Sequence, residues 1–412
     1  MGAFRRLYAL VALTWLATRA VAVALVPLLA YILNDVDIYQ GWVPILRSGA
    51  FPQGDATWQY PPGAGLLIVL PDLAPGPFLP AFVVFMLLVD LAILAMLVMA
   101  HHRRADRADL GLWLWASAGV LCGPLLVTRF DLLPTFFAVA ALLLLARPFL
   151  SGATAALGFL VKVWPAPLLL ALPRARTMKA AVAFLVMTVT VLAGLTLVLD
   201  GTLSFLGNQA SRGLQAESTG AMPYWLAALA GRTIDYGLEY GAMQVRMAGT
   251  EIAGTVLTIV GVLVLAVLAW WRLRGRLESV AGADVALTAV MVSVATSRVY
   301  SPQFNVWLIG LAAVATISTA TRMRTVALIL VGVSVSTEIV YPFFYTQFTD
   351  GEAWMILVQA GRIAGLIVAV VLALSTLAHA GRSAQSATAD AAATLSESTP
   401  PDMGTRTTTS EA

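Results

Sequence analysis

The hexapeptide Asn34-Asp35-Val36-Asp37-Ile38-Tyr39 sets two carboxylates and a phenol directly after a long apolar run. At a membrane–water boundary such carboxylates can titrate, hold a cation or take a proton as a general base. The plain alternative is a solvated helix end. The rest of the segment adds weight to the chemical reading. Tyr39-Gln40-Gly41-Trp42 and Trp58-Gln59-Tyr60-Pro61-Pro62-Gly63 supply aromatics and prolines for a stiff platform suited to stacking on a sugar ring. Aromatics also collect at membrane interfaces because their rings are amphipathic. Four cations follow in apolar or boundary contexts: Arg129 in Arg129-Phe130-Asp131, Lys162 in Val161-Lys162-Val163-Trp164-Pro165, Arg212 ahead of Gln215 and Glu217, and Arg298 ahead of Ser301-Pro302-Gln303. Ionisable groups at membrane depth are costly, so each is a candidate for function. Gathered on one side, they can converge on a phosphate. The structural alternatives are a local Arg129–Asp131 ion pair and a Lys162 that snorkels to water. Arg19, Asp90, Glu338 and Arg362 also fall in or near apolar runs and read as paired structural charges.

These residues must be positioned by helices in a bilayer. Of 412 residues 59% are hydrophobic and 11% charged, against about 25% charged in a soluble domain. Apolar runs of about 20 residues recur, each long enough for a ~30 Å hydrocarbon layer. They are continuous rather than alternating, which selects helices over a barrel. The basic residues, 23 arginines and two lysines, sit in short loops and give no nucleic-acid patch. Cys122 is the single cysteine, so no disulfide forms within the chain. No Gly-x-x-x-x-Gly-Lys-Ser/Thr phosphate loop is present. His101, His102 and His379 lie at cytoplasmic ends, away from the acidic loop, so no metal site and no cofactor is expected.

The positive-inside rule orients the chain. Basic loops at 5–6, 101–107, 147, 174–179, 272–276, 322–324 and 382 mark the cytoplasmic side. Spans are expected near 7–31, 78–100, 109–128, 131–146, 151–162, 163–173, 178–199, 250–271, 281–297, 303–319, 325–341 and 354–378, with the two around Lys162 forming a partial hairpin. The fold class is therefore an all-α polytopic membrane protein of about 10–12 transmembrane helices. Both termini fall inside, and two long loops, 34–77 and 200–249, fall outside. Residues 1–380 form one domain. Residues 381–412, rich in Ser, Thr and Ala, read as a disordered cytoplasmic tail. No internal repeat is visible, which weighs against a transporter.

Asp35-x-Asp37-x-Tyr39, Tyr60-Pro61-Pro62, Arg129-x-Asp131, Lys162-x-x-Pro165, Arg212-Gly213-x-Gln215 and Ser301-Pro302-Gln303 occur in that order. Over roughly residues 5–380 this pattern resembles the bacterial GT-C glycosyltransferases of the family 87 type, whose members include actinobacterial polyprenyl-phosphate-mannose-dependent mannosyltransferases. The resemblance implies a polyprenyl-phosphate sugar donor, an inverting transfer on the outer face of the plasma membrane, and a glycolipid or glycan acceptor. It also implies a catalytic aspartate four residues before a tyrosine, which matches Asp35 before Tyr39. Gln303 and Asn305 stand where mannoside-forming members carry histidines. On this reading Asp35 is the base and Asp37 an orienting carboxylate. Lys162, Arg212 and Arg298 hold the phosphate. Tyr39, Trp58, Tyr60, Gln215, Glu217 and Gln303 contact substrate, and Arg129 positions the loop through Asp131. A transporter or flippase of lipid-linked sugars is the rival reading.

Overall fold

The computed structural model describes residues 2–210 and 212–397, with side chains for 4–208 and 212–381. The chain is 72% helical. Six helices are long and apolar enough to cross a bilayer: Phe4–Leu25, Phe78–Arg103, Arg174–Val198, Thr250–Leu273, Arg324–Phe343 and Ala353–Gly381. Five shorter apolar helices accompany them, at Pro62–Leu73, Leu132–Leu143, Pro148–Val161, Gly282–Ala295 and Phe304–Thr316. The all-α polytopic class expected from the sequence holds; among the described residues six of these helices are long enough to cross at full length and five are shorter. At 1.5 Å per residue the short ones fall well short of the hydrocarbon layer. The expected span 109–128 is broken into Leu110–Ala116, Ala118–Leu121 and Leu125–Thr128. Gly123, at φ +51, and Pro124 separate the last two pieces.

The bundle is arranged from a buried centre to a lipid-facing rim. Phe304–Thr316 is buried at every position, and most of Gly282–Ala295 is buried beside it. Arg174–Val198 is the opposite case, with Leu197 87% and Val198 78% exposed, as suits a helix facing acyl chains. It packs on Pro148–Val161, where Gly152 lies against the Ala180 backbone and leaves no room for a side chain. Small residues commonly allow such close approach between membrane helices. Of the intramembrane charges, Arg19 and Asp90 are paired as expected: Arg19 Nε lies 2.7 Å from Asp90 Oδ2, and Nη1 and Nη2 donate to the carbonyls of Ala116 and Trp115. Arg362 instead donates to Thr337 Oγ1 and to the carbonyl of Tyr300. Glu338 is buried with Oε2 making no hydrogen bond among the described residues, so the pairing expected for these two is not found.

The two long loops fold together into one cap. Phe51 N donates to Asp200 O (2.8 Å) and Asp200 N to Gly49 O (3.1 Å). Ser204 Oγ bonds Pro52 O, and Asn208 Nδ2 bonds the carbonyls of Asp55 and Trp58. The first loop is largely helical, with Asn34–Arg47 and Pro62–Ile68. The second holds an antiparallel sheet in which Ala242–Val245 lies between Leu214–Gln215 and Tyr236–Glu239. Its hairpin turns at Tyr240 (φ 54) and Gly241 (φ 75). Two consecutive positive φ values are what a tight two-residue hairpin needs. The last helix continues to Glu397, past the expected start of the tail, whose remaining residues 398–412 lie outside those described.

Candidate active site

The first span stops before Pro27, and the chain is redirected through Pro27–Leu33, where Leu29 leaves helical geometry (φ −122, ψ 55). Asn34–Arg47 then begins with Asp35 and Asp37 in its first turn, where the helix dipole favours negative charge. Val36, Tyr39, Val43 and Trp42 bury one face of this helix. At 3.6 residues per turn, positions two apart lie about 200° apart around the axis. Asp35 accordingly lines a cleft beneath the cap, and Asp37 is exposed and does not. Asp37, expected to orient the substrate, therefore stands on the exposed face of this helix, outside the cleft lining.

Arg129 is at the site, with a different partner from the one expected. Its backbone is extended (φ −126, ψ 145) between two helical pieces, and Arg129 and Asp131 flank buried Phe130 with different partners. Arg129 Nε lies 2.7 Å from Asp35 Oδ2, and its Nη1 donates to Ile32 O at 2.7 Å. The contact with Asp35 is an ion pair without the alignment of a hydrogen bond. Asp131 turns to Lys162, 2.8 Å from Nζ to Oδ1, and the same oxygen accepts from Trp307 Nε1 at 2.7 Å. One tripeptide thereby holds a carboxylate and an ammonium on either side of a single phenylalanine.

Lys162 caps the helix Pro148–Val161 in extended backbone, ahead of Pro165. Its Nζ sits 5.4 Å from the ring centre of Tyr60, 5.3 Å from Phe130, 5.3 Å from Phe304 and 5.0 Å from Trp307. Burial pulls this ammonium below the usual lysine range, and Asp131 opposes that pull. Arg212 lines the same cleft, and burial lowers it too. Among the described residues Arg212 makes no ion pair, and its Nε makes no hydrogen bond.

The cleft is lined by Asp35, Tyr39, Trp42, Thr57, Tyr60, Lys162, Arg212, Tyr240, Ser301, Gln303 and Phe304 among others. Its enclosed part has about 70 Å³ of room, and the cleft is partly open. Burial, reinforced by Asp35, pushes the Tyr39 and Tyr60 phenols up, so both stay neutral donors. Besides Asp37, four of the residues expected to contact substrate or phosphate lie elsewhere. Trp58 is fully buried under the platform, edge-on to Trp42 at 4.9 Å, because the cap closes over it. Gln215 is buried and accepts a hydrogen bond from Ser301 Oγ, so it reaches the cleft only through that serine. Glu217 is buried among Tyr345, Gln215 and Arg362, and burial raises its carboxyl. Arg298 belongs to an adjoining groove, where Glu251 (3.0 Å) and Thr255 (2.8 Å) hold it. Arg129 and Asp131 act from behind the cleft wall.

The sequence reading missed Thr57, Tyr240, Phe304 and Trp307. Gly241 is a turn signal, but Tyr240-Gly241 is not among the dipeptides that mark a two-residue hairpin. Phe304 and Trp307 are indistinguishable in sequence from core residues of an apolar helix.

The adjoining groove holds about 440 Å³ and runs between Thr250–Leu273 and Gly282–Ala295. Thr258, Val262, Leu265, Val290 and Val294 line it, and Lys162, Arg212, Phe304 and Trp307 close its upper end. Gly261 keeps this passage narrow but open, its Cα facing Thr296 Oγ1. Among the described residues no three of His, Cys, Asp and Glu converge as metal ligands.

No curated protein and no solved structure gives a significant match to the chain. One family model does, described as Glycosyltransferase family 87, over residues 58–302. That segment is more than half of the 412 residues and carries Arg129, Asp131, Lys162, Arg212 and Ser301; Asp35 and Gln303 lie just outside it. With an apolar helical bundle beneath a polar, aromatic cleft, the match identifies a membrane glycosyltransferase, and the chain belongs to glycosyltransferase family 87.

Proposed function

We propose that this enzyme moves a hexose, mannose foremost, with inversion from a polyprenyl-phosphate donor to a hydroxyl of a glycolipid or glycan acceptor, on the extracytoplasmic face. One observation carries the reading. Lys162, Arg212 and Phe304 line both the polar cleft that holds Asp35 and the apolar groove between two membrane helices. A lipid-linked sugar has that layout: a sugar for the cleft, a phosphate for the cations, and an isoprenoid chain for the groove. The charges suit a phosphodiester with its single negative charge. Lys162 is paired with Asp131, Arg129 with Asp35 and Arg298 with Glu251, which leaves Arg212 as the uncompensated cation among them.

In the reaction the acceptor oxygen attacks the anomeric carbon as the bond from that carbon to the phosphate oxygen breaks. The proton goes to Asp35, and the bonding electrons leave with the polyprenyl phosphate. Arg129 holds Asp35 Oδ2, and Oδ1 makes no hydrogen bond among the described residues. The departing phosphate is already a stable anion, so fixed cations, not a general acid, lower the barrier. The extracytoplasmic placement rests on the basic loops at the opposite ends of the spans.

Transport of the lipid-linked sugar would need a path to both faces. The helix that begins at the cleft with Phe304 is buried throughout to Thr316, which supports transfer in place rather than passage. A polyprenyl phosphate bearing a diazirine on its chain tests the groove. Photolabelled peptides should come from 258–265 and 290–299. Labelling spread over the lipid-facing helix Arg174–Val198, and no more in the groove than there, would refute the placement of the donor.

A further inference from the structure

Lys162 is one of two lysines in the chain, and its side chain, 12% exposed, lines both the cleft and the groove. Four aromatic rings face its ammonium at 5.0 to 5.4 Å. Asp131 Oδ1 takes both the ammonium and the Trp307 indole N–H, and its side chain is 1% exposed. Asp131 Oδ2 is buried and makes no hydrogen bond among the described residues. A carboxylate committed this way is desolvated, and among the described residues its side chain bonds Lys162 and Trp307 alone.

We propose that Asp131 is a positioning residue: with Trp307 and the aromatic ring cage it holds the Lys162 ammonium at the junction of cleft and groove, aimed at the leaving phosphate. This rests on the lipid-phosphate reading above and adds which residue keeps the cation in service. Two physical effects favour the arrangement. Aromatic faces attract an ammonium without hydrogen-bonding it, so they fix its place and leave N–H donors for a ligand. A neighbouring carboxylate keeps the charge on a buried amine that desolvation would otherwise neutralise. Besides Asp131, the charged and titratable groups facing Lys162 are Arg212, which disfavours its charge, Asp35, which favours it, and the Tyr60 phenol.

The sign of the pH dependence follows. Burial sets the Lys162 ammonium below the ordinary lysine range, and Asp131 limits the fall. Removing the Asp131 charge lowers the lysine further, so the cation is lost at a lower pH and the alkaline limb of turnover moves down with it. A defect in packing alone would lower activity at every pH alike.

Two lysines make the measurement direct. Protein labelled with [ζ-15N]lysine gives two side-chain signals, with Lys179 as the internal reference. The full-length protein is titrated in nanodiscs without substrate, and turnover is followed against pH with a short-chain polyprenyl-phosphate mannose. In Asp131→Asn the Lys162 midpoint should fall by about one pH unit or more, and the alkaline limb of kcat by the same interval. Trp307→Phe keeps the ring but removes one hydrogen bond to Oδ1, and should give a smaller shift of the same sign even if Asp131→Asn does not fold. Lys162→Arg in the Asp131→Asn background should restore the alkaline limb, because a guanidinium stays charged. A Lys162 midpoint that stays put in both variants, or a loss equal at all pH and unrelieved by arginine, overturns the proposal. Absence of transfer by the wild type would count against the donor assignment instead, and the lysine titration would still decide the role of Asp131.

Discussion

Asp35 and Asp37 are two residues apart and chemically identical, yet the fold treats them as opposites. Asp35 turns into the cleft against Arg129, and Asp37 turns out to water. Asp35→Asn keeps the shape of the side chain and removes the base, so kcat should fall by a factor of about a thousand or more with donor binding little changed. Asp37→Asn should remain within about twofold of wild type, as an exposed substitution does. Steady-state kinetics on both variants, with a thermal melt as a folding control, check this pair. Equal activity in the two would remove Asp35 from its role. The sequence held the Asp-x-Asp spacing but not this asymmetry, because spacing of two separates faces only once the segment is known to be helical. Arg129-x-Asp131 is the mirror case. Its spacing suggested an internal ion pair, and each charge instead has a partner from another element: Asp35 for Arg129 and Lys162 for Asp131.

At the scale of elements, the hairpin Tyr236–Val245 is the least anticipated part of the site. Its tip places Tyr240 and Gly241 in the cleft wall opposite Asp35 and Lys162, and leaves about 70 Å³ beneath. Gly241 stands at φ +75 with nothing within 4 Å of an added Cβ, so the demand for glycine comes from the backbone alone. A β-branched residue there is strained. Gly241→Val should displace the tip and lower kcat/KM by about tenfold, while the melting temperature of the bundle stays within a degree or two; Gly241→Ala should fall between. Kinetics beside thermal unfolding separate these outcomes, and a parallel loss of stability and activity would show that the hairpin serves the fold instead. The six long spans were legible because their apolar runs are continuous. The short buried helices were not separable from spans, since composition reports apolarity and leaves open whether lipid or protein surrounds it. The groove had no sequence signature at all, because it joins Lys162 to residues about a hundred or more positions away.

On the proposed function, the whole molecule brings a membrane-borne phosphate to the Asp35 carboxylate. The two loops close one cap over Asp35, the buried centre supplies Phe304 and Trp307, and the groove runs between two membrane helices. This layout suits a donor that arrives with an isoprenoid chain, as proposed above. A nucleotide sugar is made in the cytoplasm and carries a diphosphate, for which the cleft offers one uncompensated cation. The decisive measurement is transfer by the purified protein from a synthetic polyprenyl-phosphate mannose and from GDP-mannose, with lipid extract as acceptor. The account predicts transfer from the lipid donor alone, with Arg212→Ala raising its KM and lowering kcat by about tenfold or more in combination. Robust transfer from GDP-mannose with no lipid donor present would contradict it.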